Sequence, residues 1–142
     1  MILLATADDG IASRWSEALG QPNGIRHASS LDQLEGVLSG RRPELLLLDL
    51  KLPGLRRVQH LPMVLELSPG TRVMVFSCLP NDDEGIEALQ AGAMGYCNTR
   101  IAPAVLAQAV EVVNRGEVWV GRKLIMNLIA RLGSVAAAES TG

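Results

Sequence analysis

Aromatic side chains are nearly absent: the 142 residues include two tryptophans, one tyrosine and one phenylalanine. So little ring surface argues against a stacked organic cofactor, and no glycine-rich phosphate loop is present to cradle a nucleotide. Cysteine is equally scarce. Cys78 and Cys97 have neither CxxC spacing nor companions for a metal site, and they read as reduced core residues of a cytoplasmic protein. His27 and His60 stand alone, without ligand spacing. Lysine occurs only at Lys51 and Lys123. No apolar run approaches the ~20 residues that cross a bilayer, so no membrane partner is expected. The N-terminus turns acidic at Asp8-Asp9 and lacks the basic start of a signal peptide. A net charge of −2 gives no general pull towards nucleic acid. What remains is an ordinary globular mix, 48% apolar and 20% charged, long enough for one domain with a full core.

The most informative stretch is Glu44-Leu-Leu-Leu-Leu-Asp-Leu-Lys-Leu-Pro-Gly54. Four leucines between turn residues read as a strand buried on both faces, the kind found inside a parallel sheet. Asp49 sits where that strand emerges, and in open α/β sheets chemistry collects at the carboxyl ends of strands. The alternative role for Asp49 is a cap on the turn that follows.

Around this strand the chain alternates. Ile2 to Ala7 predicts a first strand with an acidic tip, and Ile11 to Leu19 a helix. Gly20, Pro22, Asn23 and Gly24 make a turn into a weak strand at 25–29. Ser30 caps a helix over 31–39. A helix at 58–67 contains Pro62, so it is irregular or starts late. Arg72 to Ser77 is a β-rich run, Pro80 to Asp82 starts a helix, and 96–98 is a short strand. Pro103 opens a strongly amphipathic helix to Asn114, which Gly116 stops. Residues 117–120 are extended, and Lys123 to Leu132 is a last helix whose apolar stripe is Leu124, Ile125, Leu128, Ile129 and Leu132. Residues 133–142 read as a linker.

This alternation predicts a doubly wound five-stranded parallel sheet. With the flavodoxin-like strand order 2-1-3-4-5, Asp8, Asp9 and Asp49 meet at the switch point. Adjacent carboxylates repel unless a cation lies among them, and oxygen-only ligands suit Mg²⁺. Ser77, at the tip of the fourth strand, is expected to place a hydroxyl beside Asp49.

Asp8-Asp9, Asp49-Leu-Lys-Leu-Pro-Gly54, Val73-Met-Val-Phe-Ser77 and Ala91-Gly-Ala-Met-Gly-Tyr96 follow one another in the order and spacing of a known family. The chain resembles a response-regulator receiver domain from Met1 to about Leu132. Thr99-Arg-Ile-Ala-Pro-Ala-Val-Leu106 and Arg115-Gly-Glu-Val-Trp119 are similar to the NarL/FixJ subfamily. The resemblance implies a receiver at 1–120, a C-terminal helix at 121–132 and a linker or tail at 133–142. It implies a regulatory domain, whose only catalysis is its own aspartyl phosphotransfer and dephosphorylation. Asp49 would accept a phosphoryl group from a sensor histidine kinase. Mg²⁺ would be held by Asp8, Asp9, Asp49 and the backbone carbonyl of Lys51, and Ser77 and Tyr96 would act as the switch. A homodimer through Val105, Val112, Leu124, Leu128 and Leu132 is also implied. DNA would be reached only through a LuxR-type helix-turn-helix domain beyond the linker, which this sequence does not contain. One departure stands out: the family keeps a lysine at the tip of the fifth strand, and this position is Thr99. Two other readings stand beside phosphoryl transfer: a pseudo-receiver that acts by dimerisation or docking, and, weakest, a small-molecule enzyme on the same frame.

Overall fold

The computed structural model describes residues 1–20 and 24–141, with side chains described up to residue 133. Strands β1 (Ile2–Ala5), β2 (Ile25–Ala28), β3 (Leu45–Asp49), β4 (Arg72–Ser77) and β5 (Gly95–Asn98) form one parallel sheet in the order 2-1-3-4-5. Helices α1 (Asp9–Leu19), α2 (Leu31–Arg41), α3 (Leu61–Leu67), α4 (Asp82–Ala91), α5 (Pro103–Asn114) and α6 (Arg122–Thr141) complete the alternation. The flavodoxin-like fold expected from the sequence is therefore present, with its extra C-terminal helix.

The leucine run forms β3 because every residue in it is covered. Leu45 to Leu48 are fully buried, with alternate side chains entering two separate cores. Leu46 and Leu48 join α2, α3 and α4 on one face, while Leu45 and Leu47 join α1 and α5 on the other. Trp15 of α1 meets Phe76 of β4 in the second core, with ring centroids 4.4 Å apart. The price of that packing is an indole N–H buried without a partner.

Local chemistry sets the boundaries. Asp8, Ser30 and Asn81 cap α1, α2 and α4 through side chains that accept from backbone amides in the first turn. Pro62 is accommodated by a late start: a 3-10 turn at Arg57–His60 precedes α3, which places Pro62 in its first turn. Trp119 bridges to Gly95 in parallel, so the extended stretch expected at 117–120 only brushes the sheet edge.

Three expectations change. The first strand stops at Ala5, so Thr6 lies at its tip while Asp8 and Asp9 belong to the cap and first turn of α1. Helix α6 continues to Thr141, through the segment 133–142 read as a linker. The alanines at 136–138 are the strongest helix formers and carry the helix onward. Cys97 is buried, but Cys78 is exposed just beyond β4. Of the turn expected at 20–24, Pro22 and Asn23 lie outside the described residues.

Candidate functional site

Register determines which side chains meet at the carboxyl ends of the strands. Ala5 pairs with Leu48, so the next residues along, Thr6 and Asp49, emerge side by side. On the other flank Asp49 pairs with Phe76, and Ser77 follows; Ser77 pairs with Asn98, and Thr99 follows. Asp49, Thr6, Ser77 and Thr99 are all buried, with at most 6% of their surface exposed. A single buried carboxylate thus shares the strand tips with three hydroxyl residues, of which Thr6 bonds it directly.

Asp49 is fixed at both oxygens. Thr6 Oγ1 donates to Oδ2 at 2.7 Å, and the Lys51 amide donates to Oδ1 at 2.9 Å. Thr6 Oγ1 in turn accepts from the Asp8 amide at 3.2 Å. A crevice of about 580 Å³ opens in front of the group, lined by Asp8, Gly10, Arg14, Asp49, Lys51 and Thr99 among others. Arg14 does not reach Asp49; its guanidinium donates to the carbonyls of Arg100 and Ile101, at 3.2 and 3.3 Å.

The expected metal trio does not assemble. Asp8 lines the crevice, but its Oδ1 accepts from the Ile11 amide at 3.1 Å as the cap of α1. Asp9 is exposed on the first turn of α1 and is not part of the crevice wall. Among the described residues, no group of three His, Cys, Asp or Glu side chains is placed to hold a metal ion. The physical reason is the length of β1: two residues fewer in the strand put a threonine where the sequence reading put an acid.

Ser77 is next to Asp49 in register; its hydroxyl accepts from the Leu79 amide at 3.3 Å and the residue lines a second hollow of about 200 Å³. Tyr96 is buried and lines a separate hollow of about 620 Å³ with Asn81, Asp82 and Leu124. Its hydroxyl donates to Glu84 Oε1 at 2.7 Å and accepts from the Asn81 amide at 3.0 Å, tying β5 to the first turn of α4. The ring packs where Gly85 leaves space, next to Leu124 of α6. Of the other candidate contact residues, Leu124 is buried and Leu128 packs partly buried against the same core. Both therefore contact their own domain. Val112 is half-buried, whereas Val105 and Leu132 are exposed.

Sequence reasoning missed Thr6 altogether. The only available signal was the length of the apolar run, Ile2 to Ala5, after which the next residue had to lie opposite Asp49.

Burial, reinforced by the bond to Glu84, pushes the Tyr96 phenol up to about 12, with the Ser77 hydroxyl acting in the opposite sense. Tyr96 is the single tyrosine, so an absorbance titration of phenolate should show one step near pH 12 in the folded chain. Unfolded, the step belongs near pH 10. The neutral phenol therefore stabilises the fold fully below about pH 10, and that contribution is lost as pH rises towards about 12. Glu84→Ala should lower the midpoint; a native midpoint near 10 would contradict the buried contact.

The buried carboxylate stands at the tip of β3, between β1 and β4 of a flavodoxin-like sheet. Residues 2–111 match the response regulator receiver domain family, and the chain belongs to it. The nitrate/nitrite response regulator protein NarL of Escherichia coli (strain K12) is 33% identical over 116 residues, 82% of this chain and 49% of that protein. The chain spans about half the length of curated relatives of this kind. A LuxR-family two-component response regulator from Aurantimonas sp. SI85-9A1 superposes with a TM-score of 0.77 at 19% identity, covering 92% of this chain and 95% of that one. A response regulator from Burkholderia pseudomallei, solved with a phosphorylated aspartic acid, calcium ion and citrate, superposes with a TM-score of 0.67 at 14% identity. That overlap covers 97% of this chain and 73% of that one. Among the described residues no helix is long and apolar enough to cross a membrane.

Proposed function

We propose that the chain is the input module of a NarL-type transcription regulator, in which the state of the Asp49 crevice is read out by α4, β5 and α6. The observation that carries this reading is Tyr96. Its hydroxyl holds the first turn of α4, and its ring touches the packing between Gly85 and Leu124. A change at the strand tips therefore has a direct mechanical route to the C-terminal helix. In the whole regulator that helix would lead on to a helix-turn-helix domain that contacts DNA. The module would work in the cytoplasm.

What sets the crevice has two readings. The family implies that a sensor histidine kinase transfers a phosphoryl group to the Asp49 carboxylate, assisted by Mg²⁺ on Asp8, Asp9, Asp49 and the Lys51 carbonyl. Burial of Asp49 and the hollow beside Ser77 support it. The donor set does not fit the ion, since Asp9 is outside the crevice and Asp8 caps α1. No lysine is available at Thr99 to neutralise a transferring group. These observations favour the second reading, a pseudo-receiver whose crevice is set without phosphoryl transfer and whose output is assembly as a homodimer.

Intact-mass analysis after incubation with acetyl phosphate and Mg²⁺ separates the two. The expected result is no adduct on the native chain, and a rise towards one phosphoryl mass only when charge is restored in Thr99→Lys. A native adduct that disappears in Asp49→Ala would establish phosphoryl transfer instead.

A further inference from the structure

We propose that Thr6 takes the place of a cation in the Asp49 crevice, its hydroxyl proton balancing the carboxylate so that the native site binds no divalent metal. The inference rests on the receiver reading of this crevice and concerns only what balances its carboxylate.

The hydrogen-bond inventory carries the argument. A threonine hydroxyl has one proton and two lone pairs. Here the Asp8 amide occupies the acceptor side of Thr6 Oγ1 at 3.2 Å, and the proton points to Asp49 Oδ2 at 2.7 Å. The Lys51 amide serves Oδ1 at 2.9 Å. Each oxygen of the buried carboxylate thus accepts from a donor belonging to the chain, which is what a buried charge needs when no cation bonds it directly. The remaining strand tips add only the neutral hydroxyls of Ser77 and Thr99.

Of the cations that line the crevice, Arg14, Lys51 and Arg100, none gives Asp49 a side-chain bond among the described residues. Arg14 is held by the carbonyls of Arg100 and Ile101. Asp8 turns back over its own helix, with Oδ1 only 3.2 Å from where a Cβ on Gly10 would lie. Mg²⁺ demands near-ideal octahedral oxygens and gives up its waters reluctantly. To bind here it would have only the lone pairs of Asp49 that Thr6 and the Lys51 amide leave over, unless Asp8 left its cap. Thr6 therefore determines whether the site takes a metal, and it does so through a contact with the acceptor residue itself.

The test compares the full native chain with Thr6→Asp, Thr6→Val and Thr6→Ser, using MgCl₂ in calorimetry and in thermal melts. The native chain and Thr6→Ser should show no saturable heat and no shift of Tm with the ion. Thr6→Val should melt lower and remain silent to the ion, having lost the donor without gaining a ligand. Thr6→Asp should melt lowest without metal, because two carboxylates then face each other, and should regain Tm as Mg²⁺ is added. Saturable Mg²⁺ binding by the native chain that is lost in Asp49→Asn would overturn the inference while leaving the receiver reading intact. So would a Thr6→Val variant as stable as the native chain, an outcome that does not depend on Thr6→Asp folding. Conversely, an Asp49 adduct formed from acetyl phosphate in the presence of a chelator would keep the metal-free site and restore phosphoryl transfer.

Discussion

Gly85→Ala is expected to loosen α6 from the domain. A Cβ at this position would lie 2.6 Å from Leu124 Cδ2 and 2.9 Å from two carbons of the Tyr96 ring. The leucine methyl can swing aside. The ring cannot, because its hydroxyl is tied to Glu84 and Asn81. Overpacking of this kind costs about 1–3 kcal/mol. Against that, replacing glycine within a helix gains up to about 1 kcal/mol in propensity. The first effect wins, for a net loss of up to about 2 kcal/mol, and it falls where α4 meets α6. Two measurements check it: the thermal midpoint should drop, and trypsin should cut faster at Arg122, Lys123 and Arg131. A raised midpoint with unchanged cleavage would mean that propensity alone acts and that the Gly85 contact is slack.

Why this contact was not legible in the sequence is instructive. Gly85 interrupts an otherwise ordinary helical stretch, and no pattern in α4 says that a tyrosine eleven residues later will fill the gap. Long-range packing of that kind has no local signature. The sheet is the opposite case. Four leucines in succession between turn residues read as a doubly buried strand, and β3 organises everything beside it. Helix starts followed from Ser30, Asn81 and Pro103, and the alternation pointed to a parallel sheet, whose order was taken from the flavodoxin-like pattern.

The site was half legible. Asp49 was found because a carboxylate at the end of an apolar run is conspicuous, and Tyr96 only because it matches the switch aromatic of the receiver family. The acidic pair misled. Asp8-Asp9 has the composition of a metal site, but where β1 ends decides which residue faces Asp49, and boundaries are the least reliable part of any pattern reading. Asp8 is also a good helix cap, and capping is what its side chain does. Likewise the stripe on the last helix was seen as one surface, whereas the structure divides it between two directions.

That division makes the assembly prediction sharper. On α6, Leu124 and Leu128 face the domain, and two polar links on the same side, Asn127 to Asp82 and Arg131 to Asp83, fasten the helix to α4. Ile125, Ile129 and Leu132, spaced by four and three residues, are left 41%, 56% and 62% exposed. Residues at that spacing share a helix face, and a two-fold pairing of the same face on two chains is the simplest way to cover it. Ile129→Glu with Leu132→Glu is therefore the discriminating variant. Burying each such side chain contributes about 1.5–3 kcal/mol, so losing two per chain should weaken association by about a hundredfold or more. Like charges brought together across the seam add to the loss. Because both positions point away from the domain, the melting point of the separated chain should barely move, unlike that of a Leu124→Glu variant, which places a charge in the core. Sedimentation equilibrium reads the outcome directly. A native chain that stays monomeric at high micromolar concentration would show that this face is not a dimer seam.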